Sequence, residues 1–386
     1  MTLTEFRALV PSATECVHLN HAGMGPIPQP TADAVVQVTR ELMGGDGLVA
    51  YKAHLKRQAQ LRETIARMLN VAPEGIAFVR NTSHGLTIAA QAIPFSRGEN
   101  VVVARDEYPS VVYPWQAQAY RGVETRLVES RAHGLIAEDD LMAACDRNTR
   151  VLAVSWVQWG TGQRMDLDRL GDFCNTRGIW FVVDLIQGFG ALELDLAATG
   201  ADIAAGGSHK WLLSPSGIGP LYVKPERLLQ LLPTNVGWNW VNDPYNWDRL
   251  RFEDAKPTAD RFEEGSPGIL STAGLLASAT LLEAVGGAVV EAAVLANARA
   301  LHDLLRAKGM EVCPTQGQSG IVAFRHPEWS NEQVLQTLEK ERLYAAVRCG
   351  WVRLSPHAYQ QPVALKKALT GIIRNTLDDS TNGAIV

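Results

Sequence analysis

From about residue 75 the chain alternates short β-branched runs with stretches of helical period. Residues 75–79, 100–104, 123–128, 150–155, 179–184, 201–205 and 218–223 each read as a strand. Amphipathic stretches such as 83–92 and 167–176 read as the helices between them. That alternation predicts an α/β fold with a mostly parallel, doubly wound seven-stranded sheet, whose ligands sit in loops after the strands' carboxyl ends. From 272 to about 305 an Ala/Leu-rich stretch predicts a long helix followed by another. The runs 321–324 and 351–354 read as strands, and 331–341 and 362–375 as helices, of a smaller α+β unit. The expected organisation is a large α/β domain over 16–268, with 1–15 and 269–386 forming a small α+β domain and an N-terminal arm. Pro26 and Pro28 predict that the first 30 residues lie over the surface.

Composition narrows the function classes. In 386 residues, 36 Lys and Arg stand against 41 Asp and Glu, a formal charge of -5, which supplies no basic field for nucleic acid. The longest apolar runs, 179–183 and 275–282, fall short of the roughly 20 residues that span a bilayer, so no membrane association is expected. The amino terminus carries Glu5 and Arg7 and no basic segment followed by an apolar stretch, so the expected location is the cytoplasm. Cys16, Cys145, Cys174, Cys313 and Cys349 are scattered without a C-x-x-C pair and read as reduced thiols. His18 and His21 have no third ligand beside them, so no metal site is expected.

The informative chemistry lies in two segments. In Val182-Val183-Asp184-Leu185-Ile186-Gln187, a carboxylate ends an apolar strand, where burial is costly unless a cation meets it. Taken alone, Asp184 also reads as a helix N-cap. Lys210, in Gly207-Ser208-His209-Lys210-Trp211, follows 26 residues later, after another strand. A lone lysine is ordinarily a solvated surface residue, but lysine is also the side chain that bonds carbonyl compounds. Pyridoxal phosphate requires a lysine for its aldehyde and a carboxylate for its pyridinium nitrogen, so one cofactor accounts for both residues. The turn Arg80-Asn81-Thr82-Ser83-His84-Gly85, between a strand and an apolar helix, offers a phosphate site at a helix N-terminus, or a simple Ser/Thr cap.

Over residues 19–359 these motifs resemble, in order, the class V aminotransferase family of fold-type-I pyridoxal-phosphate enzymes. That family includes cysteine desulfurases, cystine and selenocysteine lyases, and isopenicillin N epimerase. The resemblance implies pyridoxal 5'-phosphate as cofactor, an amino acid as substrate, and Lys210 as the catalytic, cofactor-bearing lysine with His209 as a contact beside it. It implies Asp184 as partner of the pyridinium nitrogen and Gln187 as donor to the phenolic oxygen. Thr82, Ser83 and His84 match the family's phosphate-binding turn, and Tyr108, in Glu107-Tyr108-Pro109-Ser110, matches the ring that stacks on the cofactor. Ser266, in Phe262-Glu263-Glu264-Gly265-Ser266-Pro267, matches a hydroxyl that reaches the phosphate of a neighbouring subunit, which implies a homodimer with shared active sites. Arg353 matches the arginine that binds the substrate's α-carboxylate, and Asn20, Ala22 and Gly23 match the segment lining the substrate pocket.

The departures bear on the reaction. Residues 341–353 leave no room for the loop that carries a desulfurase's cysteine, so Cys349 reads as a packed thiol and desulfurase chemistry is set aside. Val111 and Gln360 replace residues common in relatives, and Ser208 is expected to supply the hydroxyl absent at Gly207. Gln158 follows a strand's carboxyl end and is expected in the substrate pocket. Trp159, Trp238 and Trp240 read either as packing residues or as the wall of a pocket for a bulky or apolar side chain. The expected function is a β-eliminating lyase of carbon-sulfur type, the alternatives being an epimerase or an aminotransferase. A non-catalytic regulator ranks below these, and no G-x-G-x-x-G supports a dehydrogenase.

Overall fold

The computed structural model describes residues 1–266 and 268–369. Its largest sheet has seven strands, in the spatial order Ile76–Val79, Gly219–Val223, Ile203–Ala205, Trp180–Asp184, Thr149–Ser155, Asn100–Ala104 and Glu124–Val128. Six strands run parallel, and Gly219–Val223 runs antiparallel to both of its neighbours. Trp180–Asp184 is buried along its whole length because helices cover both faces, which explains why it reads as an unbroken apolar run. The seven expected strands are all present, with ends shifted by a residue or two.

Local chemistry sets the connecting helices. Asp166 caps Leu167–Arg177 by accepting from Arg169 N at 3.0 Å, and Gly178, at φ 67°, ends it in a left-handed turn. Asn81 caps Thr82–Ala92 by accepting from His84 N at 2.9 Å. A Cβ on Gly85 would stand 2.7 Å from that of Ala205, so the missing side chain lets this helix start against the sheet, next to the strand ends.

A second sheet of four strands, ordered Ala346–Arg348, Trp351–Leu354, Val322–Arg325 and Glu311–Val312, is antiparallel throughout. One face carries Val322, Phe324, Val352 and Leu354 into a core with Leu301 and Leu305 of helix Gly287–Ala307. The opposite face carries Ala323, Trp351 and Arg353. Helix is present over 362–369, and the remainder of the helix expected to 375 lies outside the described residues.

Three features differ from the sequence expectations. The first 30 residues are not simply an arm over the surface: Phe6, Leu19, His21 and Ala22 are fully buried, and Val17–His18 pairs in parallel with Leu343–Tyr344. The boundary expected at 268/269 does not separate two cores. Leu275, Ala279 and Leu282 of helix Ile269–Val285 share the large sheet's core, and the division falls within Gly287–Ala307, between Val294 and Ala298. Helices Gln29–Met43 and Gly47–Leu69 carry no sequence expectation at all. The buried face of Gly47–Leu69 includes His54, Gln58 and Thr64, which breaks its apolar period.

Among the described residues no single helix is long and apolar enough to cross a membrane. Ile269–Val285 and Gly287–Ala307 pass that test only as a pair, bent by 84° at Gly286.

Candidate active site

Asp184 ends the central strand and is almost wholly buried. Its Oδ1 accepts from Ile186 N at 2.8 Å, but turns and no helix follow, so it is not an N-cap. Burial pushes its carboxyl up to about 6, against the weaker opposing effects of the Ile186 hydrogen bond and the Lys210 charge. Lys210 is the opposite case: burial brings its ammonium down to about 8, the charge of Asp184 opposes that fall, and Arg353 and Arg348 add to it. Its Nζ lies 5.8 Å from the centroid of the Tyr108 ring. The Tyr108 ring in turn meets Trp159 edge-on at 5.3 Å.

The phosphate turn comes to the same place. A Cβ on Gly207 would lie 3.2 Å from Thr82 Oγ1 and 3.3 Å from His209 Cε1, so the helix start and the segment before Lys210 meet at a glycine. Thr82 Oγ1 is buried without a hydrogen-bond partner, and burial lowers the pKa of His209. Ser83 Oγ is 2.7 Å from Ser110 Oγ, which ties this turn to the helix after Tyr108. His84 departs from its expected place, because its Nε2 lies 2.9 Å from Asn235 Oδ1 and its Nδ1 accepts from Arg80 N.

Arg353 is 1% exposed, yet it forms no ion pair among the described residues. Its Nη1 donates to the Trp159 carbonyl at 2.6 Å and its Nη2 to Asn20 Oδ1 at 3.4 Å, while Nε is buried without a partner. Burial lowers its pKa to about 10, and the charge of Arg348 adds to that. A buried guanidinium without a counter-ion is costly, and a planar carboxylate is the group that compensates it. Asn20 is brought there by its parallel bridge to Ser355, and Ala22 by accepting from Gln187 Nε2 at 3.1 Å. A Cβ on Gly23 would stand 2.7 Å from Asn20 Oδ1, so only glycine lets the segment turn over that amide.

Three expectations need correction. Gln158 is buried and wholly engaged in its own loop. Its Oε1 accepts from Gly160 N and Thr161 N at 2.6 Å each, and its Nε2 donates to the Asp106 carbonyl at 2.9 Å. It shapes the turn that presents the Trp159 carbonyl to Arg353 and does not face a substrate. Ser208 is fully buried, with its hydroxyl donating to the Pro215 carbonyl at 2.8 Å, so it does not replace the hydroxyl missing at Gly207. Gln187 accepts from Trp211 Nε1 at 3.1 Å while donating to Ala22, leaving one N–H beyond those two bonds. Cys349, expected to be packed, is exposed, although its sulfur lies against Gly160.

Ser266 is exposed and lines a cleft with Arg80, His84 and Asn235, beside Gly265, whose α-carbon faces the Trp238 indole. Trp238 contacts the exposed Tyr245 and Trp247, and the buried Trp240 joins the core while stacking on the exposed Phe252, so Trp240 serves packing. His21 is also a core residue. Its Nδ1 donates to the Ser355 carbonyl at 2.7 Å, its Nε2 accepts from the Tyr359 hydroxyl at 2.9 Å, and burial holds it neutral. No cluster of three or more metal-ligating side chains occurs among the described residues.

One residue escaped the sequence reading although its motif was quoted. Glu107 is fully enclosed, with Oε1 accepting from Ser155 N at 2.7 Å and Oε2 lying 2.5 Å from Ser155 Oγ. Ser155 is the register partner of Asp184, so two carboxylates flank one strand end. Burial raises Glu107 to about 7, and the charge of Asp184 adds to that against the Ser155 hydrogen bonds. An acidic residue directly before the ring residue was the available signal.

An α/β sheet with a lysine, a carboxylate and an unpaired arginine gathered at its strand ends defines an enzyme of the carbonyl-cofactor class. The chain belongs to the aminotransferase class-V family, whose family model matches residues 17–378; the family's cofactor is pyridoxal 5'-phosphate. It is 30% identical over 289 residues to a probable cysteine desulfurase of Methanothermobacter thermautotrophicus, covering 74% of this chain and 71% of that one. It is 31% identical over 261 residues to isopenicillin N epimerase of Amycolatopsis lactamdurans, covering 63% and 65%. In fold it matches the cystine C-S lyase solved with its product cysteine persulfide, with TM-score 0.88 and 24% identity over 94% of this chain and 99% of that one.

The residues fit the cofactor. The unpartnered Thr82 hydroxyl, the buried Asp184 without an ion-pair partner and the lowered Lys210 amine are the hydrogen-bond donor, anion and nucleophile that its phosphate, pyridinium and aldehyde require.

Proposed function

We propose that the chain is a pyridoxal-phosphate-dependent β-eliminating lyase of carbon-sulfur type, acting on an amino acid with a free α-carboxylate. The observation that carries this reading is the grouping of the buried Asp184 and Arg353 with the half-buried Lys210, each without a compensating ion-pair partner among the described residues. When bound, the cofactor supplies an electron sink for the pair of electrons left on the α-carbon.

Lys210 would hold the cofactor's aldehyde carbon and, with the substrate's amine bound, would accept the α-proton on Nζ. Its lowered pKa gives the neutral amine that both acts need. Asp184 holds the ring nitrogen protonated, and Thr82 and His209 bind the phosphate. Tyr108 covers the ring, with Trp159 holding its edge. Arg353 fixes the α-carboxylate and so selects which α-bond breaks. With the proton on Lys210, the β-carbon to sulfur bond breaks, the sulfur leaves with its electron pair, and the unsaturated amine hydrolyses to a keto acid and ammonium.

Two observations support elimination over desulfuration. The strands Ala346–Arg348 and Trp351–Leu354 are joined by Cys349 and Gly350 alone, at φ 51° and 75°, a two-residue turn with no mobile loop to carry a persulfide. Burial also raises the Cys349 thiol, which disfavours the thiolate. The working unit is taken as a cytoplasmic homodimer with Ser266 turned to the partner's phosphate. In support of the dimer, the exposed Trp247 and Tyr245 contact Trp238, which lies under Gly265, next to Ser266.

The experiment is product analysis with L-cystine and a panel of β-substituted amino acids. Keto acid and ammonium in equal amounts support the lyase. The inverted amino acid without ammonium replaces it with an epimerase.

A further inference from the structure

A second cation stands at the site besides Arg353. Arg348 ends the edge strand of the four-stranded sheet, opposite Trp351, while Ala346 stands opposite Arg353. In an antiparallel pair, opposed residues share a face, so Arg348 lies on the face that carries Trp351 and Arg353. The turn after it is seated on the loop over Arg353, since a Cβ on Gly160 would stand 2.7 Å from Cys349 Sγ. Its charge reaches the site: both the Lys210 amine and the Arg353 guanidinium are lowered chiefly by burial and further by Arg348.

Among the described residues Arg348 has no acidic partner. Some exposed arginines do, such as Arg67 with Glu283 and Arg131 with Asp140, while others, such as Arg97 and Arg249, share its lack of one, so it is the position of Arg348 beside the site that sets it apart. Among the described residues the one hydrogen bond of the Arg348 side chain runs from Nη1 to its neighbour's carbonyl, Val347 O, at 2.7 Å. Asp106 is near enough to raise the Cys349 thiol, yet it forms no ion pair with Arg348. One substrate carboxylate satisfies Arg353, and the guanidinium of Arg348 remains on the same face for a second anion.

We propose that Arg348 forms a second anion subsite and that the substrate is an amino acid with a further carboxylate on its side chain. This rests on the reading of Arg353 as the α-carboxylate site. The side chain then extends from the α-carbon toward the Cys349–Gly350 turn, with its far carboxylate against Arg348.

The test measures dissociation constants of glutarate and valerate for the cofactor-loaded protein, by calorimetry and by the shift of the cofactor's absorption. The two ligands have the same chain length and differ in the second carboxylate. Glutarate is expected to bind at least tenfold tighter than valerate, with the ratio falling to about one in Arg348→Gln and persisting in part in Arg348→Lys. Equal affinities in the unaltered protein, failure of glutarate to bind, or a ratio that survives Arg348→Gln would overturn the subsite. Failure of the underlying site reading looks different: Arg353→Gln would then leave the affinities for both ligands unaltered.

Discussion

Arg353 donates from Nη1 to the carbonyl of Trp159 at 2.6 Å, linking the four-stranded sheet to the loop after strand Thr149–Ser155. That bond satisfies one end of the guanidinium without neutralising it. A carbonyl orients a cation, and only an anion compensates its burial. Arg353→Lys keeps the charge and loses the planar fork, so KM for the amino-acid substrate is expected to rise by about a hundredfold, with the cofactor's absorption band unaltered. Steady-state kinetics with a spectrum of the same sample check this, and an unaltered KM contradicts the assignment.

Lys210 determines how the apoprotein captures its cofactor. With its pKa lowered from 10.5 to about 8, the neutral amine is already about a tenth of the population at pH 7. The capture rate is expected to rise with pH up to about 8 and then level off. Stopped-flow absorption across pH 6 to 11 follows it, and a rate still climbing between pH 9 and 11 would indicate an unperturbed lysine.

Glu107 and Asp184 give the apoprotein a pH-dependent stability. Both folded-state pKa values are raised, Glu107 from 4.5 to about 7 and Asp184 from 3.8 to about 6. The folded state therefore binds more protons than the unfolded chain between about pH 4 and 7, and stability falls as pH rises through that window. Glu107→Gln removes one of the two contributions. Relative to the unaltered protein it is expected to gain on the order of 3 kcal/mol between pH 4 and pH 8. Urea melts of the apoprotein at the two pH values give the comparison, and a constant difference would show that Glu107 titrates normally.

Cys349 occupies a left-handed turn position that glycine adopts more readily. Cys349→Gly is expected to keep full turnover with L-cystine and to leave stability within about 0.5 kcal/mol. Loss of turnover in a folded, cofactor-loaded variant would give the thiol a chemical role and reopen desulfuration.

Most of the sheet was legible in the chain because parallel strands buried on both faces read as short apolar runs, as Trp180–Asp184 does. Asp184 stood out for a related reason, since a charge ending such a run needs a chemical explanation; Lys210 stood out only beside it, and Arg353 only through the family resemblance. Side-chain direction was not legible. Gln158 and Ser208 stand in the right segments but turn toward backbone groups of their own loops, and no residue pattern distinguishes that from facing a ligand. The long helix Gly47–Leu69 was missed because its buried face holds His54 and Gln58. The division between the cores was misplaced because Gly287–Ala307 serves both, its first half packing on one and its second half on the other.

The central claim is that Lys210 carries the cofactor, and borohydride reduction of the cofactor-loaded protein followed by peptide mass mapping tests it most directly. The account predicts one pyridoxyl group per chain on the peptide containing His209, Lys210 and Trp211, and none on that peptide in Lys210→Ala. A pyridoxyl group on another lysine, or no reducible bond at all, would contradict it.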